Sequence, residues 1–552
     1  MVAKSNVLVV AMIAFSAILI QVCPTPAQAT PYYVAPTGND SNSCSQSQPC
    51  LTIGHGLSVA AGPGNALYVA SGTYTENPNL TTGGSSSGGN FVVQGFAPGS
   101  SCPENTSSDP FTPGGTNPAP TVQIVGNVQI NASYVTFTCF EVTPNTALGV
   151  NYNYTDFWPT HAGIGISTSG LSNITISENY IHKNGSFTSF GPSNGTAVFN
   201  YAIAAGAAGN HYNLTNISII HNFMRLGGGQ ITAMSCSGTC LFQDNEEYAG
   251  EADDDNFSDG HDLDYNEVEN SSGVGGGVLS YINNYMHGND QNFCGATRHN
   301  CHVDCFEDSS WAAQNVVLDR NVCFNQDEGV YLWDCVTQSC TTTDANHAQG
   351  VYPLIYNVQV RNSIFAFGPN QNMPACMDFW HAQFRWDNNS CWGAYSEAVL
   401  NSDVQSYENN INYQTYRGAG GNSQCTTPYG VDLEGGYPLP DSTTFDVVNK
   451  NIDWQDTTCA VPHSGLYAND FVNTDPRWVS PGTYSNVSGA DSPNMQLQSS
   501  SPAIGTGSNL CSLFTDDMAG NTRPCGAFDI GPYMLLNTSG PLPPTNVAVL
   551  AN

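Results

Sequence analysis

Five segments of the chain share one alternation of apolar and polar positions. They are Asn173-Ile-Thr-Ile-Ser-Glu-Asn179-Tyr-Ile181, Asn216-Ile-Ser-Ile-Ile-His-Asn222-Phe-Met224, Val278-Leu-Ser-Tyr-Ile-Asn-Asn284-Tyr-Met286, Asn315-Val-Val-Leu-Asp-Arg-Asn321-Val-Cys323 and, one residue shorter, Asn357-Val-Gln-Val-Arg-Asn362-Ser-Ile364. Period-2 alternation buries one face of a short strand. The Asn that follows tolerates the left-handed backbone of a sharp bend, after which a second short strand starts. Units this small cannot bury their own inward residues, so they must stack, which describes a solenoid of coils rather than a sandwich of hairpins. Stacking sets Asn179, Asn222, Asn284 and Asn321 above one another at about 4.8 Å, where their amides can bond in a ladder.

The intervals between these Asn exceed a bare three-strand turn, so the surplus must leave the coils as loops. Loops thrown out on one side are where a solenoid builds a binding surface. The longest surplus, around 225–262, includes the most acidic stretch of the chain.

The two ends carry more specific patterns. Near the start stand Tyr32-Tyr-Val-Ala-Pro-Thr-Gly-Asn-Asp40, Pro49-Cys-Leu-Thr-Ile53 and Gly62-Pro-Gly-Asn-Ala-Leu-Tyr-Val-Ala-Ser-Gly-Thr-Tyr74. Near the far end stand Ser501-Pro-Ala-Ile504, Asp517-Met-Ala-Gly-Asn-Thr-Arg-Pro524 and Asp529-Ile-Gly531. In order and spacing these resemble the N-terminal cap and the closing segment of exported bacterial β-helix proteins of the pectin-lyase-like superfamily. The resemblance departs at Gly505, where relatives often carry Asp. It implies an all-β fold, a single right-handed parallel β-helix with a helical cap near Ile53–Ala61, inserted loops, and both end motifs acting as caps. It implies a fold and no reaction, because this scaffold hosts several chemistries.

Composition narrows the partners. Eleven Lys and Arg stand against 45 Asp and Glu, a formal charge of -34, which excludes nucleic acid and an anionic membrane surface. The 55 Gly and 32 Pro suit many turns and short elements. Residues 1–29, with Lys4, the apolar run Val7 to Ile20 and Ala27-Gln28-Ala29 before Thr30, read as a secretory signal. Beyond it no apolar stretch has spanning length, so the mature chain is expected to be secreted or held at the cell surface without a transmembrane anchor, and to act as a monomer. The β-helix is expected over 30–535, followed by a Pro-rich tail, 536–552.

Removing Cys23 with the signal leaves 18 of 19 Cys, an even number for an oxidising compartment. Nearest-neighbour pairing gives Cys44–Cys50, Cys102–Cys139, Cys236–Cys240, Cys294–Cys301, Cys305–Cys323, Cys335–Cys340, Cys376–Cys391, Cys425–Cys459 and Cys511–Cys525. A rival is a metal site in Cys294, His299, Cys301, His302 and Cys305, but no doubled CxxC spacing supports zinc.

Chemistry is sought where carboxylates recur. Leu263-Asp264-Tyr265, Val303-Asp304-Cys305, Trp333-Asp334-Cys335 and Met377-Asp378-Phe379 all set an Asp between apolar residues or Cys. Period 2 then turns the Asp outward, and stacking predicts a column of Asp264, Asp304, Asp334 and Asp378. Asp262 and His302 would flank it two residues earlier, Phe306 and Trp380 two residues later, acids beside aromatic faces that suit a sugar ring. Glycoside hydrolysis needs two carboxyls about 5–5.5 Å apart for retention or about 6.5–9.5 Å for inversion, so neighbouring rungs approach the first and alternate rungs the second. Against it, solvated Asp at coil corners is ordinary turn chemistry. His302 with Arg298, Arg320 and Arg385 leaves a lyase open, since β-elimination needs a base and a cation on the enolate, and Arg385 is a candidate substrate contact. Eleven acids between Glu246 and Glu269, among them Asp253, Asp255, Asp259 and Asp262, suit a hard cation such as Ca2+, although no EF-hand loop is present. The expected partner is therefore a polysaccharide or cell-surface glycan, cleaved or merely bound. The alternative is a non-catalytic matrix or surface protein whose coils act as a stiff spacer.

Overall fold

The computed structural model describes residues 30–102, 120–145, 162–182, 201–205, 213–225, 230–232, 235–236, 238–248, 266–267, 277–287, 304–308, 314–324, 328–333, 355–366, 375–380, 382–392, 398–400, 402–414, 444–455, 469–472, 474–480, 494–526 and 528–535. Residues 1–29 and 536–552, the expected signal and tail, lie outside them. Short strands recur in a fixed order and pair in parallel with the equivalent strand one coil later, giving sheets of ten, fifteen and thirteen strands. We call these sheets 1, 2 and 3 in the order in which the chain visits them. One coil runs through Val128–Ile130 on sheet 1, Val135–Thr138 on sheet 2 and Glu141–Thr143 on sheet 3. Parallel crossovers of this kind wind right-handed, and the result is a parallel β-helix.

Inward positions are apolar on every coil. On sheet 2 the pair Ile174 and Ile176 stacks on Val135 and Phe137 and under Ile217 and Ile219, all fully buried. The core is thus a continuous column of side chains in which each coil roofs the one before it.

The corner between sheets 2 and 3 is the tightest. It turns on a single left-handed residue, Glu178, His221, Asp244, Asn283 and Arg320 on successive coils, with φ between 54° and 59°. The buried Asn follows that residue, so the left-handed position expected at Asn179 and its equivalents falls one place earlier. A second left-handed column opens the sheet 2 strands at Asn173, Asn216, Asn315 and Asn357, where Asn tolerates the conformation better than most side chains.

The amide ladder is longer than the repeat predicts. Asn179 Nδ2 donates to Asn222 Oδ1 at 3.0 Å, Asn222 to Asn245 at 3.1 Å, Asn245 to Asn284 at 3.1 Å and Asn284 to Asn321 at 3.0 Å. Beyond Asn321 the place is taken by Ser363, then by Asn389, Asn410 and Asn451. Asn362, which the shorter repeat suggests, sits instead at the left-handed corner (φ 49°). Asn245 marks a coil that splits the supposed surplus around 225–262, so part of that stretch is wound strand, Thr239–Gln243 and Glu246–Tyr248.

At the N-terminal end the helix α1, Ile53–Ala60, covers the first coil. Thr52 Oγ1 accepts from the His55 N–H, and the Glu76 carboxylate accepts from Ile53 and Gly54 at 2.8 Å each, so the first turn has partners for its free donors. The C-terminal motif does not close the far end. The outer face of sheet 3 carries a column, Val322, Ile364, Ser390, Ile411 and Ile452, that is apolar but for Ser390, and residues 478–480, 494–526 and 528–533 fold back over it with Trp478, Met495, Leu497, Met518, Ile530 and Tyr533. An apolar face of that extent has to be covered, and this strap covers it.

Within the strap Arg523 is 1% exposed and donates to the carbonyls of Asp516, Asp529, Gly531 and Pro532 and to Asn362 Oδ1. Burial pulls its pKa down to about 10 against the pull of Asp517, Asp529, Asp516 and Asp319. The Asp517 carboxylate accepts from the backbone of Asn521 and Met534. The Asp-Met-Ala-Gly-Asn-Thr-Arg motif is therefore a clamp along the flank. Five expected disulfides are formed: Cys44–Cys50, Cys102–Cys139, Cys305–Cys323, Cys376–Cys391 and Cys511–Cys525. Cys240 is disulfide-bonded as well, and the pairs Cys294–Cys301, Cys335–Cys340 and Cys425–Cys459 lie outside the described residues.

Candidate functional site

Loop length singles out one face. Between sheets 2 and 3 the chain turns in one or two residues on coil after coil. Long connections, such as Thr143 to Ala162, His182 to Tyr201 and His287 to Asp304, leave sheet 3 and enter sheet 1, while Asp308 to Gln314 and Trp333 to Ile355 separate sheet 1 from sheet 2. Sheet 1 is thus the sheet with insertions at both borders, which is where a solenoid places a site.

Register fixes which residues share a column there. Asn266 and Glu267 pair with Phe306 and Glu307, Glu307 with Tyr331, Tyr331 with Asp378, and Asp378 with Ala398. Asp378 lies between Met377 and Phe379, both buried in the core, and is itself half-buried. Tyr331 stands likewise between buried Val330 and Leu332, and its own ring is 6% exposed. The acids of this column are therefore Glu267, Glu307 and Asp378, with Tyr331 one coil from each of the last two.

The expected column of four Asp is not assembled in that form. Asp304 pairs with Glu328, which pairs with Ala375, three positions ahead of Asp378 along the strand, so the two Asp do not stack. The physical reason is a break in alternation. Cys305 and Phe306 are both fully buried, as are Cys376 and Met377, because each Cys reaches inward to its disulfide partner on sheet 3, Cys323 and Cys391. Two inward residues in succession shift the parity on which the alignment depended.

Phe306, expected outward, is a core residue whose ring meets Tyr281 edge-on at 5.3 Å. Arg385 lies on sheet 2, in register with Gln359 and Ser406, and shares no column with Asp378. Trp380 is in the same strand as Asp378 and in register with Trp333. Asp264, Asp334, His302, Asp253, Asp255, Asp259 and Asp262 lie outside the described residues. Glu307 and Glu267 were missed because neither sits in an apolar-Asp-apolar triplet.

Three other polar groups on the described residues have structural partners. Asp387 is buried beneath the corner that the strap covers. Burial pushes its carboxyl up to about 7 against the hydrogen bond from Ser406 Oγ at 2.5 Å, with Glu408 adding repulsion and Arg385 attraction. His182 Nε2 meets Glu141 Oε1 at 2.9 Å, and its ring stacks on Tyr180. Cys44, Cys50 and His55 converge within 4.8 Å, but the two sulfurs are joined to each other and offer no thiolate to a metal.

No family model matches the chain, and no curated protein matches it. Several solved structures do. XylC in complex with xylose is 13% identical over 92% of this chain and 98% of its own, with a TM-score of 0.41. A rhamnogalacturonan lyase is 12% identical over 82% and 91% (TM-score 0.36), and the pectate lyase Pel9A is 14% identical over 91% and 97% (TM-score 0.34). The fold itself rests on the strand registers: three parallel sheets, a tight second corner and an interior amide ladder make a parallel β-helix, the fold that the end motifs imply.

Proposed function

We propose that the protein is a secreted carbohydrate-active enzyme that hydrolyses a glycan lying along sheet 1, with Glu307 and Asp378 as its carboxylate pair. One observation carries the reading: on the sheet bordered by insertions, Glu307, Tyr331 and Asp378 occupy a single register column. Two coil steps put the backbones of the two acids about 9–10 Å apart, against about 6.5–9.5 Å between carboxyls when water attacks from the far face of the ring. One acid then protonates the leaving oxygen and the other activates the water. Asp304, in register with Glu328 on the same sheet, and Asp264, Asp334 and His302 are proposed as further groups of this site. The disulfides are in keeping with an oxidising, extracellular setting.

The test is a digest of neutral and acidic polysaccharides by the full-length product, with calcium or with a chelator. The cation arm is there because the segment with Asp253, Asp255, Asp259 and Asp262 is where a hard ion is expected. New reducing ends without unsaturated-uronate absorbance support hydrolysis. Absorbance would replace this reading with a lyase, and an intact panel would replace it with a binding or spacer role.

A further inference from the structure

Sheet 2 has an outer face with a different chemistry. Its central outward column runs through Val92, Thr136, Thr175, Ser218, Leu241 and Ser280, each half-exposed and in register with the next. The column on one side, from Gln94 to Ile282, and the column on the other, from Asn90 to Val278, are equally free of Asp, Glu, Lys and Arg. Within these columns charge returns at Asp319, while Glu178 and Asp244 border the strip at the corner with sheet 3. In a chain of net charge -34 this is a long uncharged strip. At its N-terminal end two rings stand side by side on the same outward register, Tyr33 and Tyr68, with centroids 5.5 Å apart and planes 30° apart.

We propose that this strip binds a neutral polysaccharide chain laid along the stack, independently of the carboxylate column on sheet 1. Four observations favour that occupant. Hydroxyl and amide groups repeat at every coil, about 4.8 Å apart, and so can meet a repeating array of sugar hydroxyls. Methyl groups of Val92, Leu241 and Ile282 alternate with them, and the half-exposed Tyr33–Tyr68 pair adds aromatic surface for the C–H groups of a pyranose. A polyanion finds no cation here and meets the field of a strongly acidic protein. A second copy of the chain brings the same negative charge, and the strip, about 29 Å by about 13 Å from rise and spacing, covers on the order of 400 Å² against roughly 800 Å² per partner in a stable interface.

The experiment is co-sedimentation and affinity electrophoresis of the full-length chain with cellulose, xylan and mannan, and with polygalacturonate and alginate as anionic counterparts. Three proteins are compared with the wild type: the triple variant Thr175→Glu, Ser218→Glu and Leu241→Glu; the double variant Tyr33→Ala and Tyr68→Ala; and Asp378→Asn. The expected result is binding of at least one neutral glycan, weakened tenfold or more by the triple and the double variants and unchanged by Asp378→Asn, even where cleavage is lost. Ser218→Glu alone, at a half-exposed position, serves if the triple variant does not fold, and should weaken binding at least threefold. The proposal is overturned if no neutral glycan binds, if the strip variants bind as the wild type does, if Asp378→Asn abolishes binding, if the anionic glycans are preferred, or if the wild type self-associates and the triple variant does not.

Discussion

Phe365 occupies the space that Gly329 leaves empty: a Cβ built on Gly329 would stand 2.4 Å from Phe365 Cδ1 and 2.6 Å from the Cys376 carbonyl oxygen. The neighbours explain why. In register, Gly329 lies between Cys305 and Cys376 on sheet 1, and Phe365 lies between Cys323 and Cys391 on sheet 3. Two coils are thus tied across the interior by disulfides, and the coil between them is filled by a ring against a bare backbone.

Gly329→Ala should overpack this layer, since one methyl group meets both a ring and a main-chain carbonyl. The expected loss is about 1–3 kcal/mol, read from denaturant unfolding. Phe365→Leu in the same background should recover part of it, so the double variant should fall short of the sum of the two single losses.

Asn245→Ala should cost more than its surface counterpart Asn216→Ala. Asn245 Oδ1 accepts from both the backbone N–H and Nδ2 of buried Asn222, at 2.9 and 3.1 Å. Its loss leaves two buried donors without an acceptor, about 2–4 kcal/mol, whereas Asn216 is exposed and its loss should stay near 1 kcal/mol. Chemical denaturation of both variants checks the order.

Asp387 should make stability fall as pH rises. Its folded-state value of about 7 exceeds the ordinary 3.8 because burial disfavours the charged form, with Ser406 opposing and Glu408 adding repulsion. The folded chain therefore holds a proton that the unfolded chain has already lost. That contribution is fully present below about pH 4 and is lost as pH climbs through 7, on the order of 4 kcal/mol in all. Asp387→Asn should flatten the Tm profile between pH 4 and 7 and raise Tm above it. An unchanged slope would remove Asp387 from the account.

Arg523→Met should release the strap without unwinding the coils. Five acceptors lose their donor, four of them main-chain carbonyls, a loss on the order of 3–5 kcal/mol confined to this segment. Limited proteolysis should then cut within 494–535 while the disulfide-linked coils persist.

The winding and the ladder are legible in the sequence because they follow from period-2 burial and repeated Asn, and the helical cap through the resemblance carried by the N-terminal motif. What escaped did so for local reasons. The coil at Asn245 opens with Thr239 where the preceding coil has Asn216, so its first signature is missing. Paired inward residues at Cys305–Phe306 and Cys376–Met377 overrode strict alternation, which displaced Asp304 from Asp378 and hid Glu307. The strap reads as an end cap because its order in the chain is last, and only the apolar outer column from Val322 to Ile452 reveals where it lies.

The central claim is that hydrolysis depends on the column shared by Glu307 and Asp378. The direct measurement is the rate of reducing-end release, on whichever glycan the wild type cleaves, for Asp378→Asn and Glu307→Gln, each shown by its unfolding transition to be folded. The account predicts a loss of at least 100-fold in each variant. Wild-type rates in both would contradict it.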